Sequence, residues 1–359
     1  MRKGKENSQI VEYDCLRIIA TILVVLGHCT YYKIITDFGG CDYSSFVGNG
    51  CTAFQLFQKI KGFIYLFHMP LFMALSGALF YRSILKEKYT TLKQISKDKG
   101  KRLLIPFIVV SLCYSVPLKY ISGYFLESEN IFKDILFGQL LVQGNSHLWY
   151  CETLFFIFLI SFILEKHYKG KICIKLLALL FFSLLSSKIN INLISYICEY
   201  VFWFYIGFYF EKVRERVNKA INWRTWIFGT VVLMIVYYVY HVLYGKKSVL
   251  LKAALALVDI IFTCIACLYT YIIAYFIAKS RLIDTQLFEN LRTNSFGVYL
   301  YSDPWNYVIL YIGTMLFGSS MYINNVGATA LFCVRFLGTL IISLIVTKLL
   351  KKCKLKLFI

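Results

Sequence analysis

Long apolar runs follow one another along almost the whole chain, and they constrain the fold more than any other feature. A helix needs roughly 20 apolar residues to cross the hydrocarbon core of a membrane. Runs near that length predict about ten membrane-spanning helices, at residues 16–35, 63–85, 103–121, 148–164, 176–190, 193–211, 226–244, 253–278, 294–313 and 327–350. Because these runs lack the alternation of apolar and polar residues found in membrane barrel strands, we predict an all-α bundle.

The composition agrees with this class. Hydrophobic residues make up 59% of the 359 residues and charged residues 16%, whereas soluble domains carry about 25% charged residues. A disordered chain, a coiled coil and a small disulfide-rich secreted module are excluded. Because no long internal repeat or low-complexity linker divides the chain, residues 1–359 are predicted to form a single membrane domain.

The basic residues are distributed unevenly among the predicted loops. The chain has 39 Lys and Arg residues against 19 Asp and Glu, a net charge of +20. Most lie in alternate loops, such as Lys86 to Arg102 and Lys212 to Arg224, and at both chain ends. Since cytosolic loops carry the excess of Lys and Arg, both termini are predicted to be cytosolic. Anionic lipid headgroups can supply the counter-charge, so no nucleic-acid partner is expected.

The cysteines indicate no metal site. Cys264 and Cys267 lie in the middle of a predicted span, without a second pair of ligands. Cys41 and Cys51 share the first outer loop, where they could form a disulfide, although spacing alone does not decide this.

The first predicted span contains two ionisable residues. Such groups cost roughly 2.5–3.5 kcal/mol each on insertion scales, which makes them candidates for function. Arg17 lies near the cytosolic end, where it could instead extend to the lipid headgroups. His28 lies about 16 Å further along the helix. A structural hydrogen bond to a neighbouring helix is the alternative to a catalytic role for this histidine.

The second span crosses in the opposite direction and repeats this arrangement. His68 lies toward its outer end and Arg82 toward the cytosol. Pro70 interrupts the helical hydrogen bonds, and the Ser76-Gly77 pair permits close approach of another helix. The alternative interpretation is a kinked packing helix whose arginine reaches the lipid headgroups.

Each of the first two predicted spans thus has an arginine toward the cytosolic side and a histidine toward the outer side. Guanidinium and ammonium groups on the cytosolic side could hold phosphates, and histidines deeper in the membrane could transfer protons. The candidates are Arg17, Arg82, Lys101 and Arg102 for phosphate binding, and His28 and His68 for proton transfer.

Polar residues also mark later spans. His147 opens the fourth span beside Trp149, where an aromatic interfacial anchor is expected and a solvated loop histidine is the alternative. Asp303 and Pro304 interrupt the ninth span, and Asp259 lies deep enough in the eighth to pair with an arginine.

Taken together, these motifs resemble those of a known family. Arg17, ten intervening residues and His28 are similar to the signature of the bacterial membrane acyltransferase-three family, which includes fucose 4-O-acetylase-like proteins. The similarity covers about residues 10–350, and the motifs occur in the family's order. The further motifs are Phe67 to Phe72 with Ser76-Gly77, Lys101-Arg102 followed by Pro106, His147 to Tyr150, and Ser295 to Leu300.

The resemblance implies O-acyl transfer, usually of acetyl from acetyl-CoA to a sugar hydroxyl of a surface glycan or its lipid-linked precursor, in the bacterial cytoplasmic membrane. His28 would be the base for the acceptor hydroxyl, oriented by a carboxylate. Arg17 would bind the donor or the oxyanion, and His68 would contact the oxyanion or shape the acceptor pocket. No bound cofactor or metal is expected, since acyl-CoA is a substrate. Further binding residues would be Arg82, Lys101, Arg102, His147, Trp149, Tyr299, Ser302 and Asp303.

One motif departs from the family pattern. The family usually places a histidine just after the pair that corresponds to Tyr299 and Leu300, whereas here Tyr301, Ser302 and Asp303 follow. Either Ser302 or Asp303 performs the role of that histidine, or the substrate differs.

Two other classes remain open. A transporter or flippase of lipid-linked sugars would suit the buried charges, but inverted halves with matching broken helices are not evident. A non-catalytic scaffold of a glycan-assembly complex would use the same polar residues structurally, and His28→Ala would then alter stability rather than acetylation.

Overall fold

The computed structural model describes residues 10–47, 51–144, 146–246, 248–318, 322, 324–355 and 358. The N-terminal basic residues predicted to be cytosolic, Arg2, Lys3 and Lys5, lie outside the described residues. Numbered in chain order, the helices are α1 Val11–His28, α2 Thr52–Tyr65, α3 His68–Leu85, α4 Leu92–Lys99, α5 Ile105–Val110, α6 Val116–Ile121, α7 Ile131–Lys133, α8 Trp149–His167, α9 Ile172–Leu185, α10 Asn192–Ala220, α11 Trp223–Leu243, α12 Val249–Ala278, α13 Gln286–Phe317 and α14 Asn325–Lys352.

Each predicted span coincides largely with a helix or a pair of helices. Within the described residues, six helical stretches are long and apolar enough to cross a membrane: Thr52–Leu85, Leu92–Ile121, Asn192–Ala220, Trp223–Leu243, Val249–Ala278 and Asn325–Lys352. Helix α1 is shorter and carries Glu12, Asp14 and Arg17 among its 18 residues. The chain is a helical, multi-pass membrane protein.

The first span ends earlier than the sequence predicted. Helix α1 stops at His28 rather than near residue 35, because β1 Lys33–Thr36 pairs with β2 Gly39–Asp42 in an antiparallel hairpin. The β-branched residues of β1 favour a strand, and Gly39 has a φ of +111°, which a glycine adopts without strain. Lys33 Nζ lies 2.8 Å from Asp42 Oδ2. Hydrogen bonds from Lys33 and Ser44 lower the pKa of Asp42 to about 2.

Cys41 lies in this hairpin and Cys51 just before α2. Both are free thiols, so the disulfide that their spacing left open is not formed.

The second predicted span consists of two helices. Helix α2 ends at Tyr65 and α3 begins at His68, so Pro70 lies in the first turn of α3, where a missing N–H is tolerated. The predicted close approach at Gly77 is present, against α10. A Cβ atom on Gly77 would lie 1.8 Å from the carbonyl oxygen of Phe204, and one on Gly207 would lie 1.8 Å from that of Ala74.

The third span is a helix with two wide turns. Helices α4, α5 and α6 are joined by π-helical turns at Gly100–Leu104 and Ser111–Ser115. Pro106 and Pro117 each follow one of these turns. A proline ring clashes with the carbonyl four residues earlier in a regular helix, and the wider turn relieves that clash.

Helix α1 lies at the centre of the bundle and packs against α3, α12 and α13. Its first turns and the last turns of α3 form one end, which we call the basic end after Arg17 and Arg82. The other end of α1 leads into the hairpin, and we call it the hairpin end. On α11, apolar side chains such as Phe228, Met234 and Ile235 are exposed, as expected for a surface that faces hydrocarbon.

Candidate active site

The last residue of α1 and a carboxylate on α13 form the centre of the candidate site. His28 Nδ1 lies 2.5 Å from Asp303 Oδ1. The Asp303 side chain is 3% exposed and that of His28 15%. Asp303 precedes Pro304 inside α13, and Val298, on the same helix, packs against Val25 and Cys29 of the α1 end. The sequence singled out both residues without predicting that they touch.

This contact fixes the tautomer of His28. A carboxylate oxygen can only accept a hydrogen bond, so Nδ1 carries a proton and donates a hydrogen bond to Asp303. The other ring nitrogen, Nε2, then has its lone pair available in the neutral imidazole. A histidine oriented in this way by a carboxylate has the geometry of a general base.

His147 approaches the same carboxylate from the loop before α8. Its Nδ1 lies 3.5 Å from Asp303 Oδ2, and its Nε2 donates to the carbonyl of Leu300 at 3.0 Å. The hydroxyl of Tyr299 donates to the His147 carbonyl at 2.8 Å. His147 is buried, so the solvated loop histidine considered from the sequence is not what the structure has.

Lys119, near the end of α6, is a residue that sequence reasoning missed. It is fully buried, donates to Gln139 Oε1 at 3.0 Å, and lies 4.6 Å from the ring centre of Tyr124. The sequence placed it among the charges of the outer side. The available signal was an isolated lysine two residues from the end of the predicted apolar span 103–121.

Two tyrosines, Tyr65 and Tyr31, lie between His68 and His28. Its Nδ1 donates to the carbonyl of Ile64 at 2.9 Å, and its ring lies 4.7 Å from that of Tyr65. The hydroxyls of Tyr65 and Tyr31 are hydrogen-bonded, and the Tyr31 ring lies 5.6 Å from that of His28. The two predicted histidines therefore share the hairpin end without touching each other.

A basic cavity of about 830 Å³ opens at the other end of α1. Arg17, Arg82 and Arg102 line it, as the sequence predicted for a phosphate site, and Tyr299 lies in its wall toward His147. The described residues of the lining include no carboxylate. Three lysines that the sequence analysis did not select complete the set of cations: Lys86, Lys88 and Lys99.

Two of the lining arginines are held by carboxylates outside the cavity. Arg17 Nη2 lies 3.2 Å from Asp14 Oδ1, and Arg82 Nη1 donates to Glu211 Oε1 at 3.1 Å. Glu211 also pairs with Arg214 at 3.0 Å. These contacts orient the two guanidinium groups at the wall of the cavity, and a guanidinium is well suited to bind a phosphate.

Some predicted residues lie elsewhere. Lys101 lines a separate depression with Lys351 and not the basic cavity. Trp149 packs on the rings of Tyr196 and Tyr200.

Ser302 is buried beside Asp303. One carboxylate oxygen of Asp259 has no hydrogen-bond partner among the described residues, so the arginine contact expected for this group is not observed.

The family can now be stated. A protein-family profile described as an acyltransferase domain matches residues 10–348. The chain belongs to this acyltransferase family. The identification made from the ordered motifs is confirmed, and the family's description agrees with the predicted enzyme class, an acyltransferase that transfers groups other than aminoacyl groups.

Curated relatives extend the comparison. Nodulation protein NolL of Mesorhizobium japonicum is 26% identical over 245 residues, which cover 67% of this chain and 58% of the relative. Nodulation protein NolL of Sinorhizobium fredii is 30% identical over 160 residues, covering 45% and 37%. The chain thus spans about half the length of these relatives. No solved structure matches the chain.

Proposed function

We propose that the protein transfers an acetyl group from acetyl-CoA to a sugar hydroxyl of a cell-surface polysaccharide or its lipid-linked precursor, in the bacterial cytoplasmic membrane. The observation that carries the proposal is the 2.5 Å contact between His28 and Asp303. It supports a general base at one end of α1, while a cavity lined by cations lies at the other end.

The reaction begins at the acceptor hydroxyl. His28 Nε2 takes its proton, and the oxygen attacks the thioester carbonyl carbon to give a tetrahedral oxyanion. The carbon–sulfur bond then breaks, and the CoA thiolate receives the proton back from the imidazolium. Asp303 remains ionised and stabilises that imidazolium while it exists.

The donor occupies the basic cavity in this proposal. Its volume falls in the range of about 300–1,000 Å³ that is typical of small-molecule sites. Arg17 and Arg82 bind the phosphates of CoA, and the pantetheine arm extends along α1 toward His28. Because Arg17 lies about 16 Å from His28 along the helix, we assign it to donor phosphates rather than to the oxyanion. His68 shapes the acceptor side.

The basic end faces the cytosol, where acyl-CoA is made. This orientation follows the excess of basic residues in the loops at that end, and it places both termini in the cytosol with about ten membrane crossings. Surrounding lipids supply anionic headgroups to the remaining lysines.

The proposal is tested with purified protein in lipid vesicles, radiolabelled acetyl-CoA and glycan extracted from the producing strain. We expect transfer of label to the glycan, and a loss of about 10²-fold or more in His28→Ala. His167→Ala changes an exposed histidine at the end of α8 and should retain full activity. Full activity of His28→Ala would overturn the assignment, and glycan movement without acyl donor would favour a transporter.

A further inference from the structure

A buried arginine that the proposed reaction does not use lies beside His28. Arg335, in the middle of α14, is fully buried. Its Nη1 donates to the carbonyl of Tyr31 at 2.7 Å, and its Nη2 donates to the carbonyl of His28 at 3.2 Å. The guanidinium carbon lies 5.4 Å from the ring centre of Tyr32.

The position of this charge is costly, and its contacts are unusual. A charged side chain within an apolar membrane helix costs roughly 2.5–3.5 kcal/mol on insertion scales. Among the described residues, Arg335 forms no ion pair with a carboxylate, and both guanidinium hydrogen bonds go to backbone carbonyls of one turn. Thr339, one turn along α14, contacts Cys29 of the same turn at 3.8 Å between Oγ1 and Sγ.

The carbonyl of His28 ends α1, and that of Tyr31 belongs to the turn that follows, in which the Tyr31 N–H donates to the His28 carbonyl. The last carbonyls of a helix have no partner within the helix and carry the negative end of its dipole. A guanidinium is planar and presents two parallel donors, so Arg335 can bind the carbonyls of His28 and Tyr31 at once. This contact fixes the backbone from which the His28 ring projects toward Asp303.

We propose that Arg335 is a positioning residue that holds the C-terminal turn of α1 and thereby keeps His28 in hydrogen-bond contact with Asp303. The inference rests on the proposed role of His28 as the base. A purely structural arginine would anchor α14 to α1 and influence only the amount of folded protein. A positioning residue also determines turnover per folded molecule, since a displacement of about 1 Å can cost about 10²-fold in rate.

Steady-state kinetics of three variants separate these roles. In Arg335→Gln we expect turnover per folded protein to fall about 10²-fold while the donor KM stays unchanged, because the basic cavity lies at the other end of α1. Arg335→Lys keeps the charge but supplies no planar pair of donors, so we expect a smaller loss of the same kind. Ser343→Ala changes a buried hydroxyl two turns along α14 that donates to Leu340, and it should retain full turnover.

Unchanged turnover in folded Arg335→Gln would overturn the inference. If that variant is not recovered as folded protein, Arg335→Lys decides by the same criterion. A rise in donor KM without loss of turnover would also overturn it, since the effect would then lie in the basic cavity.

A double-mutant cycle tests whether Arg335 acts through His28. In the His28→Ala background, Arg335→Lys should lower the residual rate no further. A further loss as large as in the wild type would show independent action and overturn the inference. Full activity of His28→Ala itself would refute the proposed function instead, so the two failures are distinguishable.

Discussion

His28 Nδ1 donates to Asp303 Oδ1 across 2.5 Å, although 275 positions separate the two residues in the chain. The contact joins the end of α1 to α13, which continues as one helix through Pro304, so the interruption of the ninth span predicted from the sequence was wrong. Asp303 lies in the segment where the sequence departs from the late motif of the family. In the mechanism proposed above, the acid–base unit is therefore a histidine and its carboxylate partner.

Asp303→Asn tests this unit directly. The amide can donate to Nδ1, which would leave the proton on Nε2 and remove the base. We expect turnover to fall by about 10²–10⁴-fold, as for the carboxylate of a hydrolase triad, with little change in donor KM. Initial rates at varied acyl-CoA concentration measure both quantities. Asp42→Asn removes an exposed carboxylate of the hairpin and should retain turnover. Equal rates for Asp303→Asn and wild type would contradict the mechanism.

A second prediction asks whether His147 is needed for its hydrogen bond from Nε2 or for a titrating imidazole. Its Nε2 satisfies the carbonyl of Leu300, and the amide nitrogen of glutamine can take that position. We expect His147→Gln to keep both stability and turnover. His147→Ala leaves a buried carbonyl without a donor and should lose about 1–3 kcal/mol of unfolding free energy. Thermal unfolding in detergent and the transfer assay measure these effects. If folded His147→Gln loses turnover, the imidazole itself takes part in proton transfer.

The sequence predicted the helices and the register of the two arginines well. Apolar length indicates a spanning helix regardless of its neighbours, and two spans that cross in opposite directions bring Arg17 and Arg82 to the same end. The local sequence pattern could not predict the contact between His28 and Asp303, because the contact depends on how α1 packs against α13. Lys119 was counted among the charges of the outer side, because a count of loop charges does not distinguish a buried lysine from an exposed one.

The choice between Lys99 and Lys101 gives a third prediction. The sequence favoured Lys101 as a donor-binding residue, whereas the structure places Lys99 in the basic cavity and Lys101 in a neighbouring depression, with Arg102 lining both. The π-helical turn at Gly100–Leu104 changes the helical spacing here, so the sequence did not show which lysine lines the cavity.

We expect Lys99→Gln to raise the donor KM about 3–10-fold, because it removes a contact between a half-buried cation and a phosphate that is worth about 1 kcal/mol. Lys101→Gln should have a smaller effect. Initial rates at varied acyl-CoA concentration provide the test, with Arg216→Gln as a control for an exposed basic residue of α10 outside the cavity. A larger rise in donor KM for Lys101→Gln than for Lys99→Gln would support Lys101 as the donor-binding residue, as the sequence predicted.

The close contact of α3 with α10 gives a fourth prediction, on stability. In Gly77→Ala the added methyl group would meet the carbonyl oxygen of Phe204 at 1.8 Å, and backbone atoms cannot move aside as a flexible side chain does. Overpacking of this kind costs about 1–3 kcal/mol or more. Gly62→Ala, on α2, is the matched control because nothing lies within 4 Å of the added atom. There alanine should stabilise the helix by up to about 1 kcal/mol. The two substitutions should therefore shift the unfolding midpoint in detergent in opposite directions. An unfolding midpoint for Gly77→Ala at or above that of the wild type would contradict the close approach of α3 to α10 at this position.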